Sequence, residues 1–321
     1  MKKKKKIVVI TGCCGFIGSH LTEFLINKKY HVIGLDNLST GKKIFIKNLN
    51  KKNFKFYKVD LLKEKLDKYF KNVSAVYHLA ANADVRFGLT HRDKDIKQNI
   101  LVTHKILEQL IKNNIKKFIF SSTGSVYGES KEIPTKETTS FPIQTSLYGA
   151  SKVSAEAIIA AYSEAYNLQS YIFRFVSILG PRYSHGHVYD FLNHLLKDSK
   201  TLKVLGDGNQ KKSYLHVSDC IRAIWISMRI FKKKVNIINL GTSKYLTVKE
   251  SIKIICKKLK VKPKLIFNGG KRGWVGDNPF ILLDIKKIKS TGWKPKYTIK
   301  NSVENTVDYI IRNKWILNNK K

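Results

Sequence analysis

The feature that most restricts what this chain can fold into is a strand, loop and helix signature near its start. Ile7-Val8-Val9-Ile10 is a short β-branched run, followed by Thr11-Gly12-Cys13-Cys14-Gly15-Phe16-Ile17-Gly18 and an apolar-periodic segment. Such a succession predicts a strand, a tight turn and a helix. Gly12, Gly15 and Gly18 stand three apart; that spacing lets backbone approach a ligand closely and leaves a helix N-terminus facing an anion such as a pyrophosphate. A second apolar run, residues 31–35, ends at Asp36. A carboxylate at that strand end accepts hydrogen bonds from a ribose 2′-OH and repels a 2′-phosphate. Together these predict a dinucleotide site containing Gly12, Gly15, Phe16, Ile17, Gly18, Asp36 and Asn37, with NAD rather than NADP as its cofactor. Lys42 and Lys43, close by, soften that preference.

Further along, Tyr148-Gly-Ala-Ser-Lys152 follows Ser121-Ser122-Thr123 by about 25 residues. Tyr and Lys four apart on a helix share one face. An ammonium beside a phenol favours the phenolate, which brings a group titrating near ~10 toward use as a base. A hydroxyl from a neighbouring strand end, Thr123, can hold a substrate oxygen against that phenol. Tyr-x-x-x-Lys alone is a weak signal, and it gains weight from the glycine loop before it.

Short apolar runs at 7–10, 75–79, 117–120, 171–175 and 235–240 alternate with helical segments, which predicts parallel strands joined by crossover helices. The expected fold is α/β, a doubly wound parallel sheet of Rossmann type with a smaller C-terminal substrate-binding lobe. The dinucleotide domain is expected over 1–176, with return elements near 215–241, and the lobe over 177–321. The net charge of +38 points on its face to nucleic acid or an anionic membrane. Yet 53 lysines and eight arginines are scattered through the chain, with no platform of aromatic and basic residues, so a solvated lysine-rich surface is the reading adopted. The apolar run after the leading lysines is too short for a signal peptide, and no stretch approaches the ~18 apolar residues of a membrane span. Cys13, Cys14, Cys220 and Cys256 show neither metal-ligand spacing nor a disulfide frame. They are read as reduced and structural, in a cytoplasmic protein with no metal site.

With these motifs in hand, the chain resembles the extended short-chain dehydrogenases/reductases, and within them the nucleotide-sugar epimerases related to UDP-galactose 4-epimerase. The stretches that carry the resemblance include residues 11–21, Asp36-Asn37-Leu38-Ser39-Thr40-Gly41, Val59-Asp60-Leu61, His78-Leu79-Ala80-Ala81-Asn82, Asn99, residues 120–128 and 148–156, Gly206-Asp207-Gly208, residues 214–219 and Gly276-Asp277. The resemblance implies that Asp60 and Leu61 meet the adenine and that Leu79, Ala80 and Ala81 line the cofactor cleft. It implies that Asn99 bridges backbone groups near the active site, and that Lys152 serves both the nicotinamide ribose and Tyr148. His78 reads as a packed core residue. Thr123, Tyr148 and Lys152 are the implied catalytic set: Tyr148 takes the proton of a sugar 4-OH as the C4 hydride leaves, Thr123 steadies the oxygen, and both transfers reverse on the other face of the 4-keto sugar. Relatives that eliminate water across C5 and C6 read Thr-Asp-Glu where this chain has Thr123-Gly124-Ser125, so the acid and base of elimination are missing.

For the substrate the resemblance implies Thr123, Ser177, Lys212, Tyr214, Arg272 and Asp277. Ser177 is shorter than the Asn usual there, Trp274 takes the place of a phosphate-binding Arg that Arg272 replaces, and Ile281 sits where bulk controls room beside the sugar. Residues 182–191 are expected as a loop over the sugar. The expected function is NAD-dependent epimerisation of a nucleotide sugar at C4, of UDP-glucose/UDP-galactose type. A nucleotide-sugar dehydrogenase, reductase or dehydratase, and a non-catalytic NAD- or nucleic-acid-binding protein, stay open beside it. Relatives pair as homodimers through two helices, here expected over 99–113 and 151–167, and no nucleic-acid or membrane partner is expected.

Overall fold

The computed structural model describes residues 6–141 and 143–317. The β-branched and aromatic runs become the strands β1 (Ile7–Thr11), β2 (His31–Asp36), β3 (Phe54–Lys58), β4 (Val73–His78), β5 (Lys117–Thr123) and β6 (Gln169–Phe175), joined by the strand Val235–Leu240. They form one seven-stranded sheet in the order Val235–Leu240, β6, β5, β4, β1, β2, β3. The pairs β3–β2, β2–β1, β1–β4 and β4–β5 are all parallel. Order reverses between β1 and β4, the switch point at which doubly wound sheets open a crevice at their carboxyl ends. Parallel strands need crossovers, here supplied by α1 (Phe16–Asn27), α2 (Asp67–Phe70), α3 (Val102–Lys112) and α4 (Leu147–Tyr166). Val9, Leu35, Val76 and Phe118 of the sheet pack with Ile106, Leu110, Ala155 and Ile159 of α3 and α4 in one buried cluster.

The chain divides into two compact units. Of the described residues, the first comprises those up to Val126, Leu147–Arg174 and Ile224–Ile238; the second comprises those within Tyr127–Ser146, Phe175–Ala223 and those from Asn239 onward. A boundary at 176 therefore misplaces residues 127–146, which carry no strand of the sheet and belong to the second unit. The return of the chain to the first unit is confined to residues 224–238, narrower than the 215–241 read from the sequence. Within the second unit Ser177–Leu179 pairs in parallel with Tyr214–His216, and Lys211–Lys212 pairs with Leu246–Thr247 and Phe280–Ile281.

Two expected elements differ. Residues 182–191 are not a loop throughout, because His187–Leu195 is a helix that buries Val188, Leu192 and Leu195. The helix expected from residue 99 begins as a π-helical segment, Ile96–Leu101, which passes directly into α3. No helix among the described residues is long and apolar enough to cross a membrane.

Candidate active site

The turn between β1 and α1 is held by contacts that admit only glycine at two places. Gly12 has φ +71°, and a Cβ on it would stand 2.7 Å from the Ala80 nitrogen. A Cβ on Gly18 would stand 2.0 Å from the Gly12 carbonyl oxygen. The first closeness brings the turn onto the backbone after β4; the second seats α1 against its own loop. Gly15 closes the turn by donating its N–H to Gly12 O at 3.0 Å. No side chain caps α1 at Gly15, and its first turn contains no acidic residue, so no carboxylate of the helix itself offsets its positive end. Leu79, Ala80 and Ala81 stay partly exposed along this rim, as do Gly12, Gly15 and Ile17, while Phe16 is buried.

Asp36 is 8% exposed at the end of β2. Its Oδ1 accepts the Leu38 N–H at 2.8 Å and its Oδ2 the Cys14 N–H at 2.9 Å. Burial pushes its pKa up and these two donors oppose the shift. Each oxygen keeps a lone pair beyond these bonds, so the carboxylate is positioned and still able to accept from a ribose. Asn37 accepts from Ser39 N–H at 3.0 Å. Asp60 organises its own turn, accepting from Leu62 N–H at 3.0 Å while its N–H meets Glu64 Oε1 at 3.0 Å; Leu61 beside it is buried. The glycine cradle, the uncapped helix and the carboxylate are the parts a dinucleotide needs, and they fit NAD.

The catalytic candidates come together at the end of β5 and the start of α4. The Thr123 side chain lies close enough to Tyr148 to pull the phenol's pKa down, but burial dominates and pushes it up to about 12. Desolvation is the largest effect on the phenol, and Asp95 adds to it. Lys152 is 2% exposed, donates to Ser121 O at 3.0 Å and stands 4.7 Å from the centre of the Phe120 ring. Burial pulls its pKa down to about 8, opposed by the carboxylates of Glu156 and Asp95. Thr123 Oγ1 also meets the Ser125 hydroxyl at 3.2 Å and N–H at 3.1 Å.

Several residues around these, Asp95, Ser151 and Glu156 among them, were not singled out by the sequence. Asn99, in the π-helical segment, accepts from the Asn82 N–H at 2.9 Å and donates to Asp95 Oδ1 at 3.2 Å and Ser151 Oγ at 2.9 Å. Ser151 in turn donates to Tyr148 O at 2.8 Å. Asn82 donates to Asp95 Oδ1 at 2.8 Å. Asp95 and Ser151 thus tie Asn99 to the helix turn that carries Tyr148; their signal was the four-residue spacing of Asp95 and Asn99. Glu156, one turn beyond Lys152, takes a hydrogen bond from Ser122 and a forked one from Arg174, with 2.7 Å to its Nη2. His78 is 1% exposed between Thr11 Oγ1 at 2.7 Å and Thr103 Oγ1 at 3.2 Å.

In the second unit Ser177 is exposed and stands opposite Tyr214 in the parallel pair. Tyr214 is buried, its hydroxyl 3.1 Å from His187 Nε2. Lys212 donates to Asp277 Oδ1 at 2.7 Å and lies opposite Ile281. Asp277 also accepts from Gly273 N–H at 3.1 Å, and Arg272 pairs with Glu129. Lys212, Asp277 and Ile281 are therefore brought together, whereas Arg272 is engaged by an acid that the sequence did not single out.

Residues 8–241 match the NAD dependent epimerase/dehydratase family. The chain belongs to that family. A protein of Methanocaldococcus jannaschii named putative UDP-glucose 4-epimerase is 35% identical over 315 residues, covering 96% of this chain and 99% of its own. The crystal structure of UDP-glucose 4-epimerase with UDP-glucose from Thermotoga maritima superposes with TM-score 0.85 at 32% identity, over 96% of this chain and 99% of that one. UDP-N-acetylglucosamine 4-epimerase from Methanobrevibacter ruminantium, in complex with UDP-N-acetylmuramic acid, gives TM-score 0.87 at 30% identity, over 97% and 99%. The family's sheet and its NAD dependence are thus those of this chain.

Proposed function

We propose that the protein interconverts C4 epimers of a UDP-hexose through a transient 4-keto sugar, with UDP-glucose and UDP-galactose as the first pair. The observation that carries this reading is that Thr123 and Tyr148 stand together beside buried Lys152, with Gly124 and Ser125 where elimination would need an acid and a base. Tyr148 removes the proton from the sugar 4-OH and later returns it, and Thr123 holds that oxygen in line. Lys152, fixed by Ser121 O, supplies the positive charge that favours phenolate as the proton leaves. Bound NAD supplies the acceptor, and afterwards the donor, of the C4 hydride. Ser177, Lys212, Arg272 and Asp277 are assigned to the nucleotide sugar, and Ile281 to the room beside it. The protein is also assigned a homodimeric state through α3 and α4.

Incubation with UDP-, GDP-, CDP- and TDP-hexoses, including N-acetylated and uronic acid forms, tests the assignment. One C4 pair should equilibrate, deuterium at C4 should stay in the product, and no net NADH should build up. A 4-keto-6-deoxy product, or stoichiometric NADH, would overturn it.

A further inference from the structure

Cys13 and Cys14 occupy the turn between β1 and α1 with no exposed surface, and their Sγ atoms lie 3.9 Å apart. The Asp36 carboxylate is fastened to the same turn by the Cys14 N–H. Among the described residues, these three form a cluster whose metal-ligating atoms all lie within 4.8 Å of one another. We propose that Cys13, Cys14 and Asp36 form a binding site for a thiophilic divalent cation, of the zinc or cadmium kind, which competes with NAD. The sequence hides the site, because the carboxylate comes from the next strand and adjacent cysteines match no familiar ligand spacing.

The arrangement is close to that of a bound ion. Two thiolates on a tetrahedral zinc, each at about 2.3 Å, sit about 3.8 Å apart, and a thiolate and a carboxylate oxygen about 3.5 Å apart. The sulfur pair already has that separation, and the carboxylate has only to close on it. Gly41 leaves room for this movement, since a Cβ there would stand 2.9 Å from both Asp36 oxygens and from Cys14 Cβ. Two sulfurs and one oxygen suit a borderline-soft cation and not magnesium or calcium. Binding exchanges the proton of each thiol for a metal–sulfur bond, so two protons pass from the thiols to solvent per cation. Competition with NAD rests on reading Asp36 as the ribose acceptor, because a metal-bound carboxylate no longer faces the ribose.

The full chain, freed of NAD(H), is titrated with cadmium chloride. A thiolate-to-cadmium charge-transfer band should saturate at one equivalent, with two protons released and a native mass raised by one cadmium less two hydrogens. Saturating cadmium should weaken NADH binding by about tenfold or more. Cys13→Ser/Cys14→Ser should lose the band, and Cys220→Ser/Cys256→Ser should keep it. Asp36→Asn, which retains both thiols, should bind cadmium about tenfold more weakly. No band in the wild-type protein, or a band lost only with Cys220 and Cys256, would overturn the site. Unchanged NADH affinity with cadmium bound would overturn the competition. Failure of the ribose reading is seen separately, as wild-type protein binding NADP as tightly as NAD with the cadmium titration unaltered.

Discussion

Tyr148 and Lys152 are separated by one helical turn, and burial shifts both away from their ordinary values in the directions that favour the neutral forms. A phenol held near 12 is a strong base once ionised but is seldom ionised alone, so the proton transfer proposed for it depends on neighbours that accompany the proton. Tyr148→Phe should keep the fold and NADH binding while turnover drops by at least ~10², the usual worth of a positioned acid–base group; steady-state rates beside a cofactor titration check this, and near-normal turnover would remove Tyr148 from its role. Lys152→Ala should lower turnover and weaken NADH binding together. The side chains proposed to react stand out in the sequence because their order and spacing are local. Asp95, Asn82 and Glu156 do not, since a buried polar network shows only once β4, the π-helical segment and α4 are side by side. Tyr214 shows the converse: a polar residue in a familiar motif can be buried with its hydroxyl beside another side chain, here His187.

At the scale of elements, the sheet was legible because buried parallel strands read as continuous apolar runs. The helix His187–Leu195 was less so. Val188, Leu192 and Leu195 stand at helical spacing, but His187, Tyr189, Asp190 and Asn193 break the pattern and read as loop. The β1–α1 turn makes the sharpest prediction here. Gly18→Ala drives a Cβ to 2.0 Å from the Gly12 carbonyl, so the turn must open; NADH affinity by fluorescence titration should fall at least about tenfold, and retention of wild-type affinity would show that the turn does not cradle the cofactor. The joint between β4 and α3 carries a pH signature. His78 is held neutral by burial, with its pKa pulled down from 6.5 to about 3. Below 6.5 the unfolded chain takes a proton that the folded chain refuses, so this contribution to stability is complete above that pH and is lost as pH falls toward 3. The slope is about 1.4 kcal/mol per pH unit. Urea midpoints between pH 6.5 and 4 should show a shallower acid loss for His78→Gln than for wild type, and parallel curves would refute the account.

For the whole molecule, the charge of +38 is the property that neither the fold nor the reaction requires. Among the described residues Lys152 is the one lysine that is fully buried, so the other described lysines reach solvent and the surface is broadly positive. Scattered like charges neither build a base-reading groove nor single out one face, but they would raise the local concentration of the proposed diphosphate-bearing substrate. That attraction belongs to encounter and not to chemistry, which separates the two in a measurement. Raising ionic strength from about 0.01 M to 0.15 M shortens the screening length from about 30 Å to 8 Å. Over that range kcat/KM for the nucleotide sugar should fall several-fold while kcat stays level. A neutral osmolyte at matched viscosity should leave both unchanged. A flat kcat/KM would mean that the lysines serve solvation alone, and a parallel fall of kcat would place the salt effect at the buried Lys152–Glu156–Asp95 charges instead of at the surface.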